Sequence, residues 1–200
     1  MQMLRIRAAW LLAAAVWCCG MVQAQDRGTG SDAELLRALR SGGHVILIRH
    51  ASTVPGIGDP AGFVLTDCAT QRNLSEAGRA EAGRIGTTFK AERIPVGRVQ
   101  SSRWCRCLDT ARLAFGKVSP WAALDSHFDN PADGAAQAAA VISGIAERET
   151  AGENLVLVTH QVNISALTGV SPAQGEAVVT RLTGKSLRVV GRLRPAGNSQ

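Results

Sequence analysis

HVILIRHAST, residues 44–53, sets four aliphatic residues in a row against a cation and an imidazole. Val45, Ile46, Leu47 and Ile48 read as one strand covered on both faces, since a strand with one wet face would alternate apolar and polar residues. Arg49 and His50 stand at its exit. Neither is readily buried without a partner, so each either faces solvent or serves a site. In open α/β sheets, ligands collect beyond the carboxyl ends of the strands, which is where this pair falls.

Upstream, Ser31 or Asp32 can cap a short helix carrying Leu35, Leu36 and Leu39, which Gly42-Gly43 ends. Downstream, residues 51–73 contain Pro55, Gly56, Gly58, Pro60 and Gly62 and predict a long loop of the kind that covers a site. Ser75 is a natural N-cap, Glu76 suits the positive helix start, and Gly78, Ala82, Ile85 and Phe89 recur at helical spacing. GRVQSS, 97–102, predicts a short strand leading into a helix over about 103–114. Another helix is expected from Asp133 to Glu149. NLVLVTH, 154–160, repeats the opening pattern of an apolar strand ending in histidine. A helix capped by Asn163, or begun slightly earlier, follows it and stops near Gly169. Gly184-Lys185 between two alternating runs predicts a hairpin. Strand–helix alternation without repeats or linkers makes this a single α/β domain.

The first 24 residues read as a leader. Arg5 and Arg7 precede an apolar run from Ala8 to Val16, and Val22-Gln23-Ala24 offers small residues for cleavage after Ala24. The expected mature chain is 25–200, exported to a periplasm or medium, with no stable membrane span after cleavage. The alternative, an uncleaved anchor, meets an apolar run short for a span of about 20 residues. Cleavage lowers the formal charge from +6 to +4, because the leader holds two arginines and no acid. That excess suits an anionic small substrate. With no lysine-rich tract and no aromatic interleaving, nucleic acid is excluded as a partner. Three cysteines remain, Cys68, Cys105 and Cys107; in an exported chain Cys68 is expected to pair with one of the other two. The Cys-x-Cys spacing fits no common zinc pattern.

Three segments thus share a strand, then polar or cationic residues at its exit, then a helix: Arg49-His50, Ser101-Ser102 with Arg106, and Thr159-His160. If the strands are neighbours, these groups meet over one sheet edge. Two arginines and two histidines there attract a dianion, and the planar guanidinium matches phosphate oxygens two at a time. LIRHAST (47–53), RNLSEAGRAEAGRIG (72–86), VQSSRWCRCLDTARLAFG (99–116) and LVTHQVNISALTG (157–169) resemble, in that order, the motifs of the histidine phosphatase superfamily. The resemblance spans roughly residues 35–190. It implies a single-domain, three-layer α/β/α fold with a mostly parallel central sheet, the phosphoglycerate mutase-like fold. It implies His50 as the nucleophile that takes the phosphoryl group, Arg49 and Arg106 as phosphate ligands, and His160 as the second histidine, which contacts the transferring group. The chemistry it implies is metal-independent and uses no cofactor.

The chain departs from the family pattern in two places. Ala51 follows the Arg-His pair where many members have Gly. Gln161 stands where some branches place an acidic proton donor, which leaves Asp125, Asp129 and Glu176 as possible general acids. The compact length and export resemble the small periplasmic branch that acts on lipopolysaccharide core heptose phosphates, so the expected partner is a small phosphorylated substrate such as an envelope sugar phosphate. The missing acid motivates the alternative of a noncatalytic phosphate- or phosphosugar-binding protein on the same fold. The bland readings stand beside these: His44 is structural, His127 is a solvated loop residue, Trp104 and Trp121 are packing residues, and Arg72, Arg79 and Arg84 are helix-surface cations.

Overall fold

Strand β1 (Val45–Arg49) sends Ile46 and Ile48 to one side of the sheet and Val45 and Leu47 to the other, as an extended chain must. Both sides are covered. Ile46 and Ile48, with Val156 and Val158 of β4 (Asn154–Thr159), pack against α1 (Asp32–Arg40), α2 (Glu76–Ala91) and α3 (Cys105–Phe115) through Leu39, Phe89 and Ala111. Val45 and Leu47, with Leu155 and Leu157 of β4, pack against α4 (Gly134–Ala146) and α5 (Gln161–Thr168) through Val141, Ile145 and Ile164. Two apolar layers of helix contact therefore explain the unbroken aliphatic run. This computed structural model describes residues 32–148 and 152–194; the expected leader, residues 1–24, lies outside them.

The remaining strands are β2 (Val96–Ser101), β3 (Ser119–Pro120), β5 (Ala177–Thr183) and β6 (Ser186–Leu193), in the spatial order β3-β2-β4-β1-β5-β6. β1, β4, β2 and β3 run parallel, while β5 and β6 add an antiparallel edge. The expected tail hairpin turns at Gly184-Lys185 between the paired Thr183 and Ser186. The three-layer, mostly parallel α/β/α architecture is the expected one. β3 is new; two residues ending in proline give no periodicity to read.

Two glycines set how closely α2 approaches its neighbours. A Cβ on Gly78 would fall 1.8 Å from the Ser52 carbonyl oxygen, and one on Gly86 would fall 2.0 Å from that of Ala114. The first contact seats α2 against the loop that leaves His50, and the second seats it against α3. α2 begins as expected, with the Ser75 side chain accepting from the Gly78 N–H. α5 begins at Gln161 with His160 at the N-cap, earlier than a cap at Asn163. Among the described residues no helix is long and apolar enough to cross a membrane.

Candidate active site

The parallel register of β1 on β4 pairs Arg49 with Thr159. One residue further on, His50 and His160 leave the sheet side by side, their ring centroids 5.6 Å apart. The ladder continues past the strand ends, with the His50 N–H donating to the Thr159 carbonyl at 3.0 Å and the Ser102 N–H to the Val158 carbonyl at 2.9 Å. Both imidazoles are buried, and both line a single cavity of about 600 Å³ with Arg49, Arg72, Trp104 and Arg106. The four residues expected to converge, Arg49, His50, Arg106 and His160, do so.

His50 Nδ1 lies 2.9 Å from the Ala51 carbonyl oxygen. A carbonyl only accepts, so Nδ1 carries the proton and Nε2 keeps its lone pair. Burial above all, then Arg106, pushes this imidazole down to about 3, against the pull of the Ala51 carbonyl; Arg49 and Arg72 add to the depression. The ring is therefore neutral at pH 7, and desolvation outweighs the neighbouring cations as the reason. Ala51 is itself fixed, its N–H donating to Thr110 Oγ1 at 3.0 Å, while the Ser52 N–H and hydroxyl both donate to Glu81 Oε2 at 2.8 Å.

His160 is set by a chain of side chains. Arg106 Nη2, which can only donate, lies 3.5 Å from His160 Nδ1. The ring proton is thus on Nε2, given to Ser102 Oγ at 2.8 Å, and the Ser102 hydroxyl donates to Asp125 Oδ1 at 3.3 Å. Burial, followed by His50 and Arg106, holds His160 well below the usual imidazole range. Asp125 also accepts from the Arg103 backbone N–H at 2.8 Å and its Nε at 2.7 Å. It acts on the site only through Ser102, as a positioning residue.

Three arginines floor the cavity, one more than expected. Arg72 is not a helix-surface cation: it ends the loop before α2, and its Nη1 donates to Thr53 Oγ1 and to the Gly56 carbonyl, each at 2.9 Å. The Nε atoms of Arg49, Arg72 and Arg106 are all buried without a hydrogen-bond partner. An unpartnered buried donor costs about 1–3 kcal/mol, more when charged. All three residues line the one cavity. Burial, then Arg72 and Arg106, lowers the Arg49 pKa, as cations crowded together must.

Asp59 is the residue that sequence reasoning missed. Its carboxylate accepts from Arg106 Nη1 at 2.8 and 3.1 Å, from Trp104 Nε1 at 3.0 Å and from the Arg72 backbone N–H at 2.9 Å. Burial pushes this carboxyl up, but the donors led by Arg106 hold it below the usual range. It holds Nη1 of Arg106, while Nη2 lies 3.5 Å from His160 Nδ1. Trp104 likewise lines the cavity, with its ring centroid 5.4 Å from that of His160. A lone acid within a glycine-rich loop carries no signal of such a contact.

Of the three possible general acids, only Asp129 lines the cavity, where it is exposed. Asp125 is committed as above. Glu176 lies behind Arg49 with Arg192 Nε at 2.6 Å and Arg192 Nη2 at 2.8 Å. Burial raises its carboxyl, but the Arg192 hydrogen bond and other donors bring it below its usual value, so it remains an anion outside the cavity. Neither is placed to protonate a leaving group. His127, expected in solvent, is partly buried beside Gly134 and lines a separate small cavity. Cys68 pairs with Cys105, and Cys107 is a buried thiol 3.5 Å from His160 Nε2, pushed up to about 12 chiefly by burial. Among the described residues no group of three or more His, Cys, Asp or Glu is placed to hold a metal ion.

Two strand-end histidines stand over a floor of arginines at the carboxyl edge of an α/β/α sandwich, an arrangement chemically suited to an oxyanion. No family model and no curated protein matches the chain. Solved structures do. The alpha-ribazole phosphatase from Shigella flexneri is 18% identical with a TM-score of 0.56, over 78% of this chain and 100% of that one. The protein histidine phosphatase SixA, solved with tungstate, is 12% identical with a TM-score of 0.54, over 76% and 97%. Phosphoserine phosphatase from Entamoeba histolytica, solved with 3-phosphoglyceric acid, is 14% identical with a TM-score of 0.55, over 74% and 95%. The fold of this chain is the fold of these three phosphatases.

Proposed function

We propose that this chain is an exported phosphomonoesterase that works through a phosphohistidine on His50. The observation that carries the reading is the joint placement of two neutral imidazoles and three guanidiniums around one cavity. His50 Nε2 attacks phosphorus as the bond to the alcohol oxygen breaks, and Asp129 gives that oxygen a proton. Water then attacks the phosphohistidine, losing a proton to Asp129, and releases inorganic phosphate and the free imidazole. Splitting one displacement into two lowers each barrier. Arg49, Arg72 and Arg106 hold the charge on the equatorial oxygens, and His160, its one ring proton given to Ser102, orients Arg106 through Nδ1. The reading uses guanidiniums where other phosphatases use metal ions, so a chelator leaves the rate unchanged.

The similar fold of phosphatases solved with tungstate and with a phosphorylated acid supports the substrate class, a small phosphomonoester. The expected leader at 1–24 and the Cys68–Cys105 disulfide support an oxidising, extracytoplasmic address. Purified mature protein is incubated with an aryl phosphate, then quenched in denaturant for mass spectrometry. Phosphate release, a phosphoryl adduct on the His50 peptide and loss of both in His50→Ala are expected. Turnover by His50→Ala equal to wild type overturns the mechanism. Binding of phosphate without turnover of even this activated ester favours the noncatalytic reading. Asp129→Asn is expected to slow an alkyl ester about 100-fold while sparing the aryl ester, whose leaving group needs little acid.

A further inference from the structure

We propose that the cavity mouth recognises an apolar leaving group, so that the ester this site takes is an alkyl or aryl phosphate and not the phosphate of a polyol. The inference rests on the phosphatase reading and deepens it. Among the described residues five large apolar side chains are exposed, and three of them, Val54, Ile57 and Phe128, line this one cavity. Their exposures are 44%, 92% and 54%. Single exposed aliphatics need no explanation; three converging on one opening do. They come from two separate stretches, the loop after β1 and the segment between β3 and α4.

The loop that presents Val54 and Ile57 is anchored on both sides of them. The Val54 N–H donates to the Asn73 carbonyl at 3.1 Å, Arg72 holds the Gly56 carbonyl, and Asp59 is clamped by Arg106 and Trp104. These anchors are floor residues. The apolar rim is thus held at a fixed place relative to the phosphate-binding arginines. The Trp104 ring continues the apolar wall down towards His160. A phosphoryl group on the three arginines takes only the floor of a cavity of about 600 Å³. The alcohol then lies between Trp104 below and Val54, Ile57 and Phe128 above. An alkyl chain or ring there removes apolar surface from water on both partners. A polyol would lose hydration to side chains that return no hydrogen bond. Thr53, Ser126, Asp129, Gln161 and Gln174 also line the cavity, and in this proposal the three apolar side chains outweigh them.

The test compares octyl phosphate, below the concentration at which it forms micelles, with glycerol phosphate esterified on a primary carbon. Both release primary alkanols, so the comparison reads recognition of the carbon chain. The wild-type kcat/KM is expected to favour octyl phosphate by at least about tenfold. In Ile57→Ser/Phe128→Ser that ratio is expected to fall close to one; both side chains are exposed, and a thermal melt checks that the fold is kept. A wild-type ratio of one or below, or a preferred sugar phosphate, overturns the inference and leaves the phosphatase reading standing. A preference that survives in the double variant overturns the assignment to this rim. No phosphate release from any ester, the aryl phosphate included, overturns both readings together.

Discussion

The strand exits and the loop at 51–75 build one site by opposite means. At the exits of β1 and β4, position comes from backbone register: once Arg49 faces Thr159, His50 must stand beside His160. In the loop, position comes from individual side-chain contacts, within the loop and to α3. Asp59 is held on Arg106, Arg72 on Gly56 and Thr53, and Cys68 on Cys105. The ladder is redundant, each bond supported by its neighbours, while the loop depends on a few individual contacts. Substitutions in the two regions should therefore fail differently, with lost chemistry at the exits and lost placement in the loop.

Arg72 tests that contrast with the largest expected effect. Arg72→Ala removes both a floor guanidinium and the anchor of Gly56, so kcat/KM for an aryl phosphate is expected to fall about 10²–10³-fold, the usual loss for one donor to a transition-state oxyanion. Arg72→Lys keeps the charge but loses the planar fork, and is expected to fall in between. Arg79→Ala, on the outer side of α2 and paired with Asp109 at 3.3 Å, is the control and should change little. Equal rates for Arg72→Ala and Arg79→Ala would return Arg72 to the surface role read from the sequence.

The same contrast explains what could be read without coordinates. The sandwich, the hairpin and the pairing of His50 with His160 were legible because an unbroken aliphatic strand admits few placements in a sheet. Arg49 and Arg106 were legible through their motifs. Arg72 sits in a motif as well, but its position just before a helix reads equally as a surface cation; only the fold of the loop turns it inward. Asp59 had no signal, because glycines and prolines around it erase periodicity and its partners lie up to 47 residues away in sequence. Asp125 and Glu176 were legible as acids near the site but not as acids already committed, because Arg103 and Arg192 are ordinary residues until the fold brings them close.

The disulfide sharpens the comparison at intermediate size. It joins the loop to the start of α3 across 37 residues, and the Cys105 N–H donates to Gln71 Oε1 at 3.0 Å beside it. Loop-closure entropy for such a bridge amounts to about 2–4 kcal/mol. Cys68→Ala/Cys105→Ala should lose that much stability in urea unfolding, and its KM for an aryl phosphate should rise more than its kcat falls, because Arg72 and Asp59 both lie on the tethered side. Unchanged stability and KM would mean that Asp59 and Arg72 hold the loop unaided.

The smallest expected effect belongs to the strand exits and is read in pH. His50 and His160 are held below their ordinary pKa in the folded chain, chiefly by burial, His50 at about 3. Between that value and about 6.5 the unfolded chain binds protons that the folded chain refuses, so stability rises with pH through this window and is lost as pH falls. Asp59 and Glu176, also held below their ordinary values, add stability that is lost only at lower pH, near and below the usual carboxylate range. The interval from pH 7 to 6 therefore isolates the imidazoles. His44 is also held below its ordinary value, chiefly by burial, so three such groups predict a loss of roughly 1–2 kcal/mol in unfolding free energy across it. His50→Gln should remove about a third of that slope and leave the loop anchors in place. A wild-type stability that is flat between pH 7 and 6 would show that these rings accept a proton where they stand, which would remove the neutral imidazole that the proposed chemistry needs.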